Sequence, residues 1–243
     1  MNVRPGERID ELGRGGLRII QHPGRFPFSV DAVLLAHYVK VRRRDRVLDL
    51  GTGCGVIPLL LSALYPEARL TGLEVQPETA EMAARSVQMN GLEDRIRIVC
   101  GDFRQVGPLL GYEQFDVVTI NPPYREPDRG RVSPVPGRAA ARHGLTGDLG
   151  DAMAAAAAAV KFRGRVAVVF LAERLTDLLV TMRAARLEPK RLRLVQPRAG
   201  QPANLLLLEA VKGGGTGLTV EAPLVIYSEG QTYTAEMRRI YEG

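Results

Sequence analysis

At 243 residues with a formal charge of +6, the chain is long enough to bury a sizeable core in one domain and basic enough to suit an anionic partner. Hydrophobic residues make up 45% and charged residues 25%, as in soluble globular proteins, and no stretch approaches the roughly 20 apolar residues of a membrane span. Two cysteines, Cys54 and Cys100, exclude a disulfide framework and a zinc site, and the charged, Gly-rich opening MNVRPGERIDELGRGG lacks the apolar core of a signal peptide. A cytoplasmic, enzyme-like chain is expected. Only Lys40, Lys161, Lys190 and Lys212 among the 33 basic residues are lysines. Arginine suits phosphates and stacks on bases, although an Arg- and Ala-rich genome would give the same composition.

Residues 1–45 form a lead-in, 46–211 a core and 212–243 a C-terminal extension of one expected domain. Apolar runs predict strands at Arg46–Leu50, Arg69–Glu74, Arg95–Cys100, Phe115–Ile120, Arg165–Phe170, Arg191–Val195 and Asn204–Val211. The segment Pro77–Asn90 spaces Ala80, Met82, Ala83, Val87 and Met89 broadly for one helix face, with Gly91 as its stop. Residues 122–147 carry no periodicity, which suits a lid, a binding loop or a disordered segment. Asp148 and Asp151 precede the run Ala154–Ala159, which reads as a well-formed helix with acids at its N-terminus. Gly213–Gly215 reads as hairpin chemistry between two strand-like runs.

This alternation predicts an α/β fold: a doubly wound, mostly parallel sheet with helices on both faces. Ligands of such sheets bind beyond the carboxyl ends of the strands, where strand order reverses. The polar, unusual residues fall at those ends: Asp49–Gly55, Glu74, Asp102 and Asn121.

The stretch VLDLGTGCGVIPLLL, residues 47–61, is a strand, a glycine turn and a helix start. Gly51, Gly53 and Gly55 let the backbone turn tightly and approach a ligand, and Pro58 fits a first helical turn. Val56 stands where a dinucleotide fingerprint needs glycine, so the pattern is G-x-G-x-G preceded by Asp49. Glu74 lies 23 positions after Gly51, near the spacing at which an acid meets both ribose hydroxyls. Asp102 is placed to accept from an adenine amino group, with Phe103 beside the ring. A tight strand–helix turn explains the glycines alone, but not their company with these acids.

Together with Asn121–Tyr124, these residues resemble a class I S-adenosylmethionine-dependent methyltransferase, over about residues 46–124. The resemblance implies a Rossmann-like sheet that ends in an antiparallel strand, which Asn204–Val211 would supply. It implies S-adenosylmethionine as cofactor, S-adenosylhomocysteine as product, and no metal. Asp49, Gly51, Thr52, Gly53 and Gly55 would border the methionine part, Glu74 and Val75 the ribose, Asp102 and Phe103 the adenine.

The motif Asn121-Pro122-Pro123-Tyr124 closes the predicted strand Phe115–Ile120. An exocyclic amino nitrogen is a poor nucleophile because its lone pair is delocalised into the ring. The Asn121 side-chain oxygen and the Pro122 carbonyl can each accept one amino hydrogen, drawing the nitrogen toward tetrahedral geometry. Pro122 and Pro123 stiffen the backbone that aims them, and Tyr124 can stack on a base turned out of its helix. In the family this motif marks methylation of adenine, cytosine, guanine or glutamine amides. Neither cysteine follows a proline, as cytosine carbon-5 chemistry would require.

The lead-in RIDELGRGGLRIIQHPGRFPFSVDAVLLAHYV, then NPPY, ARHGLTGDLGD and MRAARLEPKRLRLVQP, resemble the bacterial tRNA(Val) adenine-N6 methyltransferase family along nearly the whole chain. That family modifies the adenine next to the anticodon, which makes tRNA the implied substrate. At Gly144 the chain departs from an acid usual in the family. Phe28, Ser29 and Asp31 correspond to its segment flanking the cofactor, with core packing and helix capping as rival roles for Phe28 and Ser29. Arg125, Arg129, Arg131, Arg138 and Arg142, with His143, would make a basic loop over the substrate, or a solvated surface loop. Arg183, Arg186, Lys190, Arg191 and Arg193 form either a second patch or an ordinary outer face. His22 and His37 read as local packing or turn residues. Methylation of guanine N2 in ribosomal RNA or of a protein glutamine amide is the enzymatic alternative, and a cofactor-binding RNA chaperone the non-enzymatic one.

Overall fold

Residues that alternate between two apolar faces organise the chain around one sheet. The computed structural model describes residues 3–24, 29–122 and 149–242. In chain order it runs β1 (Arg8–Glu11), β2 (Arg18–Gln21), α1 (Val30–Tyr38), β3 (Arg46–Leu50), α2 (Val56–Leu64) and β4 (Arg69–Glu74). Then come α3 (Pro77–Met89), β5 (Ile96–Cys100), α4 (Val106–Leu110), β6 (Phe115–Ile120), α5 (Leu149–Ala159) and β7 (Val160–Leu171). The remainder is α6 (Leu175–Ala184), β8 (Leu187–Arg198), β9 (Leu205–Lys212), β10 (Thr219–Val220), β11 (Leu224–Tyr227) and α7 (Ala235–Glu242).

The large sheet has the order β10-β8-β9-β7-β6-β3-β4-β5, with β11 also paired to β8. Strands β3 to β7 pair in parallel, and β9 lies antiparallel between β7 and β8. The mostly parallel α/β expectation therefore holds, with the antiparallel strand where it was expected. Along β7, Val166, Val168 and Phe170 join the core beneath α5 and α6, while Ala167 and Val169 join the core beneath α1 and α2. Both faces are covered, which is why these strands read as continuous apolar runs. The alanine run forms α5, which buries Ala155, Ala156 and Ala159 and leaves Ala154 exposed.

Helix α3 begins with Pro77 in its first turn. It stops at Gly91, whose φ of +64° lets the Leu92 N–H donate back to the Val87 carbonyl. Its outer face receives the β1–β2 hairpin, which the apolar pattern did not predict. The Ile20 N–H donates to Ser86 Oγ, the Arg18 N–H donates to Asn90 Oδ1, and Asn90 Nδ2 donates back to the Arg18 carbonyl. Arg85 donates to Glu7, clamping the segment before β1 to the same helix.

Two corrections concern the C-terminal part. Strands β7 and β8 start earlier than expected: Val160 pairs with Phe115 ahead of an irregular stretch, and Leu187–Pro189 pair with β9 although Glu188 is charged. The Gly213–Gly215 turn is no hairpin: both edges of β9 are already taken by β7 and β8, so the chain crosses to the far edge of β8 as β10.

Candidate active site

The register of three parallel strands builds the site. Leu50, last in β3, pairs with Leu73 of β4 on one side and Ile120 of β6 on the other. The next residues, Gly51, Glu74 and Asn121, therefore stand at one level of the sheet rim, with Cys100 beside Glu74. Glu74 and Asn121 flank Gly51 two strand spacings apart, about 10 Å. From β3 the chain steps outward through β4 and β5, then returns to the opposite side of β3 as β6. The crevice at this reversal is where doubly wound sheets hold ligands.

Gly51, Gly53 and Gly55 all take positive φ, at +72°, +56° and +86°. The Gly51 and Thr52 N–H groups both donate to the Leu73 carbonyl, locking the turn to the end of β4. A side chain at Gly55 would press on Ala83 of α3, so this glycine serves packing. A Cβ at Gly53 would meet no described atom within 4 Å, so the turn leaves open space there. Cys54 is buried in the turn as a small filler.

The Glu74 carboxylate, 6% exposed, accepts from the Gly53 N–H at 2.9 Å and from the Gln76 N–H at 3.0 Å. Burial raises its pKa, and these backbone donors oppose the rise. A carboxylate has about four lone-pair sites, so these backbone bonds leave room for further donors such as ribose hydroxyls. Val75 beside it is partly buried.

Asp49 is 2% exposed, and burial pushes its carboxyl up to about 7. Its Oδ1 accepts from Thr119 Oγ1 at 2.7 Å, while its Oδ2 is buried without a hydrogen-bond partner among the described residues. A buried carboxylate with an orphaned oxygen suits a ligand that carries a cation or an N–H donor. Thr119 was missed in the sequence. Its signal is the one hydroxyl of the strand Phe115–Ile120, within its apolar run and in register with Asp49.

Asp102 caps the short 3-10 turn Phe103–Gln105 by accepting from the Arg104 N–H, and both its oxygens also pair with the Arg104 guanidinium. The hydrogen bond from Arg104 holds its carboxyl below the usual range. Phe103 is buried, packed into the core beneath α4 and α5. Asn121 and Pro122 are partly buried at the end of β6. Asp31 lies in the first turn of α1, and Ser29 takes the cap position without a side-chain capping bond. Phe28, Pro123, Tyr124, Arg125, Arg138, Arg142, His143 and Gly144 lie outside the described residues, as do Arg129, Arg131 and Asp148.

The second arginine group is largely engaged within the chain. Arg191 stacks on the Tyr38 ring, donates to the Tyr38 carbonyl and pairs with Glu221. Arg193 pairs with Glu236 of α7, Arg183 with Glu188, and Lys190 donates to the Thr216 and Gly217 carbonyls. His22 accepts from the Gly24 N–H in a local turn, and His37 Nδ1 contacts the Val33 carbonyl one helical turn back. Both are local, as expected. Among the described residues no cluster of metal-ligating side chains occurs, and no helix is long and apolar enough to cross a membrane.

Residues 16–134, from β2 past the rim, match the family profile of the methyltransferase small domain. The chain is 33% identical over 169 residues to a tRNA1(Val) (adenine(37)-N6)-methyltransferase of Porphyromonas gingivalis, covering 67% of this chain and 64% of that protein. A protein of the same name from Shewanella amazonensis is 38% identical over 142 residues, covering 58% of this chain and 54% of the other. The chain thus spans less than two thirds of the length of these relatives. Among solved structures, one described as a predicted O-methyltransferase from Agrobacterium tumefaciens superposes with a TM-score of 0.72 at 26% identity, over 87% of this chain and 95% of that one.

Proposed function

We propose that this chain, whose residues 16–134 match the methyltransferase small-domain profile, transfers a methyl group from S-adenosylmethionine to the N6 amino group of an adenine in tRNA, next to the anticodon of a valine tRNA. The shared rim level of Gly51, Glu74 and Asn121 supports this reading most. Glu74, the glycine turn and Asn121 share one crevice, as this reading needs of a ribose acceptor, a backbone cradle and an amine acceptor. The names of the relatives supply the nucleobase and the tRNA, and a tRNA substrate suits a cytoplasmic enzyme.

In this reading Glu74 accepts from the ribose hydroxyls, and the open face of Gly53 admits the cofactor against the backbone. Asp49 offers its orphaned oxygen to the methionine ammonium. Asp102 takes the adenine amino group. S-adenosylmethionine supplies, when bound, an electrophilic methyl on its sulfonium. The chain's part is to hold the acceptor nitrogen: the Asn121 amide oxygen and the Pro122 carbonyl each take one amino hydrogen, and Tyr124 stacks on the base. Preorganised acceptors of this kind contribute through the transition state, and alignment supplies much of the remainder. No general base is needed, because the proton leaves a cationic product.

The test is nucleoside mass spectrometry of total tRNA after incubation with labelled cofactor. N6-methyladenosine is expected. Label in methylguanosine, in protein or nowhere overturns the assignment in favour of the guanine, glutamine or chaperone reading respectively. Asn121→Ala should cut kcat by about 100-fold with cofactor affinity near normal.

A further inference from the structure

The Asp49–Thr119 pair is not explained by the roles above. Both residues are buried, Thr119 with 0% exposure, and they are direct register partners across β3 and β6. The Thr119 hydroxyl has one hydrogen and two acceptors within range: Asp49 Oδ1 at 2.7 Å and the Leu48 carbonyl at 3.5 Å. The shorter contact takes the hydrogen. That bond fixes one carboxylate oxygen and leaves the other, Oδ2, buried and without a partner. The adjacent Thr52 hydroxyl, at the start of the glycine turn, is also buried and acts on the same carboxyl more weakly than Thr119 does. A buried polar atom without a hydrogen bond costs about 1–3 kcal/mol, so Asp49 Oδ2 is stabilised by a donor that the glycine cradle receives.

We propose that Thr119 is a positioning residue for cofactor capture: its hydroxyl fixes one oxygen of Asp49 and presents the other, free oxygen as the acceptor for the cationic end of the ligand. The inference rests on the cofactor reading above. It adds a residue on the substrate-side strand, two positions before Asn121, so that one strand carries both the aid to cofactor binding and the amine acceptor. The other titratable groups acting on Asp49 are Glu74 at the end of β4 and Cys54 in the turn. Glu74 is an acid, and burial pushes the Cys54 thiol up to about 12, so neither supplies a positive charge to keep Asp49 ionised. The Thr119 hydroxyl acts in that direction, and the Thr52 hydroxyl does so more weakly.

The test uses S-adenosylhomocysteine as probe, with its Kd measured by calorimetry from pH 6 to pH 9 on the full chain and on Thr119→Val and Thr119→Ser. Loss of a hydrogen bond to a charged group should weaken binding by about tenfold in Thr119→Val near pH 6. The penalty should shrink toward pH 9, where Asp49 ionises without help, and Thr119→Ser should restore wild-type affinity. Thermal unfolding runs in parallel, and Thr119→Ala replaces the valine variant if that does not fold. A penalty equal at every pH would mean that Thr119 is only structural. Wild-type affinity in Thr119→Val, or failure of the serine variant to rescue, would also overturn the inference while leaving the cofactor reading intact. A wild-type chain that binds no S-adenosylhomocysteine at any pH would overturn both.

Discussion

Gly53→Ala separates a cofactor cradle from a merely tight turn. Gly53 sits at φ +56°, where an added Cβ would meet no described atom within 4 Å. The cost to the fold is the left-handed backbone alone, about 1–2 kcal/mol. For a chain of 243 residues that lowers Tm by about 2–8 °C. The Gly53 N–H keeps its bond to Glu74, so the acid stays in place. The new methyl projects into the open space, and overpacking a fitted contact costs about 1–3 kcal/mol, or about 5- to 150-fold in Kd. Gly91→Ala is the matched control: φ +64°, equally open, but at the C-terminal cap of α3. Both variants should lose similar Tm in differential scanning fluorimetry, and only Gly53→Ala should lose affinity for S-adenosylhomocysteine. Equal affinity in the two variants refutes the cradle.

Three further outcomes follow from the packing. Glu7, 8% exposed beside Arg85, is held at a pKa of about 2 by that guanidinium, against 4.5 unfolded. A depressed carboxylate stabilises the fold above the unfolded value and loses that contribution as pH falls through the folded one. Glu7→Gln should therefore cost about 1–3 kcal/mol at neutral pH, with the gap to wild type closing between about pH 4.5 and pH 2 in urea titrations. Gly72→Ala would set a Cβ 2.7 Å from Thr52 Cγ2, so it should lose about 1–3 kcal/mol and weaken cofactor binding by shifting the turn, as read by calorimetry. Arg191→Met should cost about 3–5 kcal/mol by stranding Glu209, and urea unfolding of the Arg191→Met/Glu209→Met pair should recover most of it.

The rim was legible in the sequence because its parts are forced. A strand buried on both faces must be apolar, so Arg46–Leu50, Arg69–Glu74 and Phe115–Ile120 emerged with their observed ends. The glycines had to be glycines because the turn runs through positive φ. The hairpin was not legible: RIDE and RIIQ are short, and the docking that stabilises β2 comes from Ser86 and Asn90, some 70 residues on. Nor could spacing reveal that Arg191 and Arg193 turn inward, since their partners Glu221 and Glu236 come from a later crossover. The pairing of Asp102 with Arg104 was equally hidden, because it depends on the short 3-10 turn that Asp102 caps.

Strand β9 joins β7 to β8, although it is made after both. As a nascent chain emerges, β7 and β8 have no ladder to share until Lys212 has followed them out. Until then β7 presents an unpaired, apolar flank to its surroundings, a template for any other strand. The late arrival of one eight-residue segment thus sets when the sheet becomes safe from self-association, and a ribosome stalled before it would expose that hazard most.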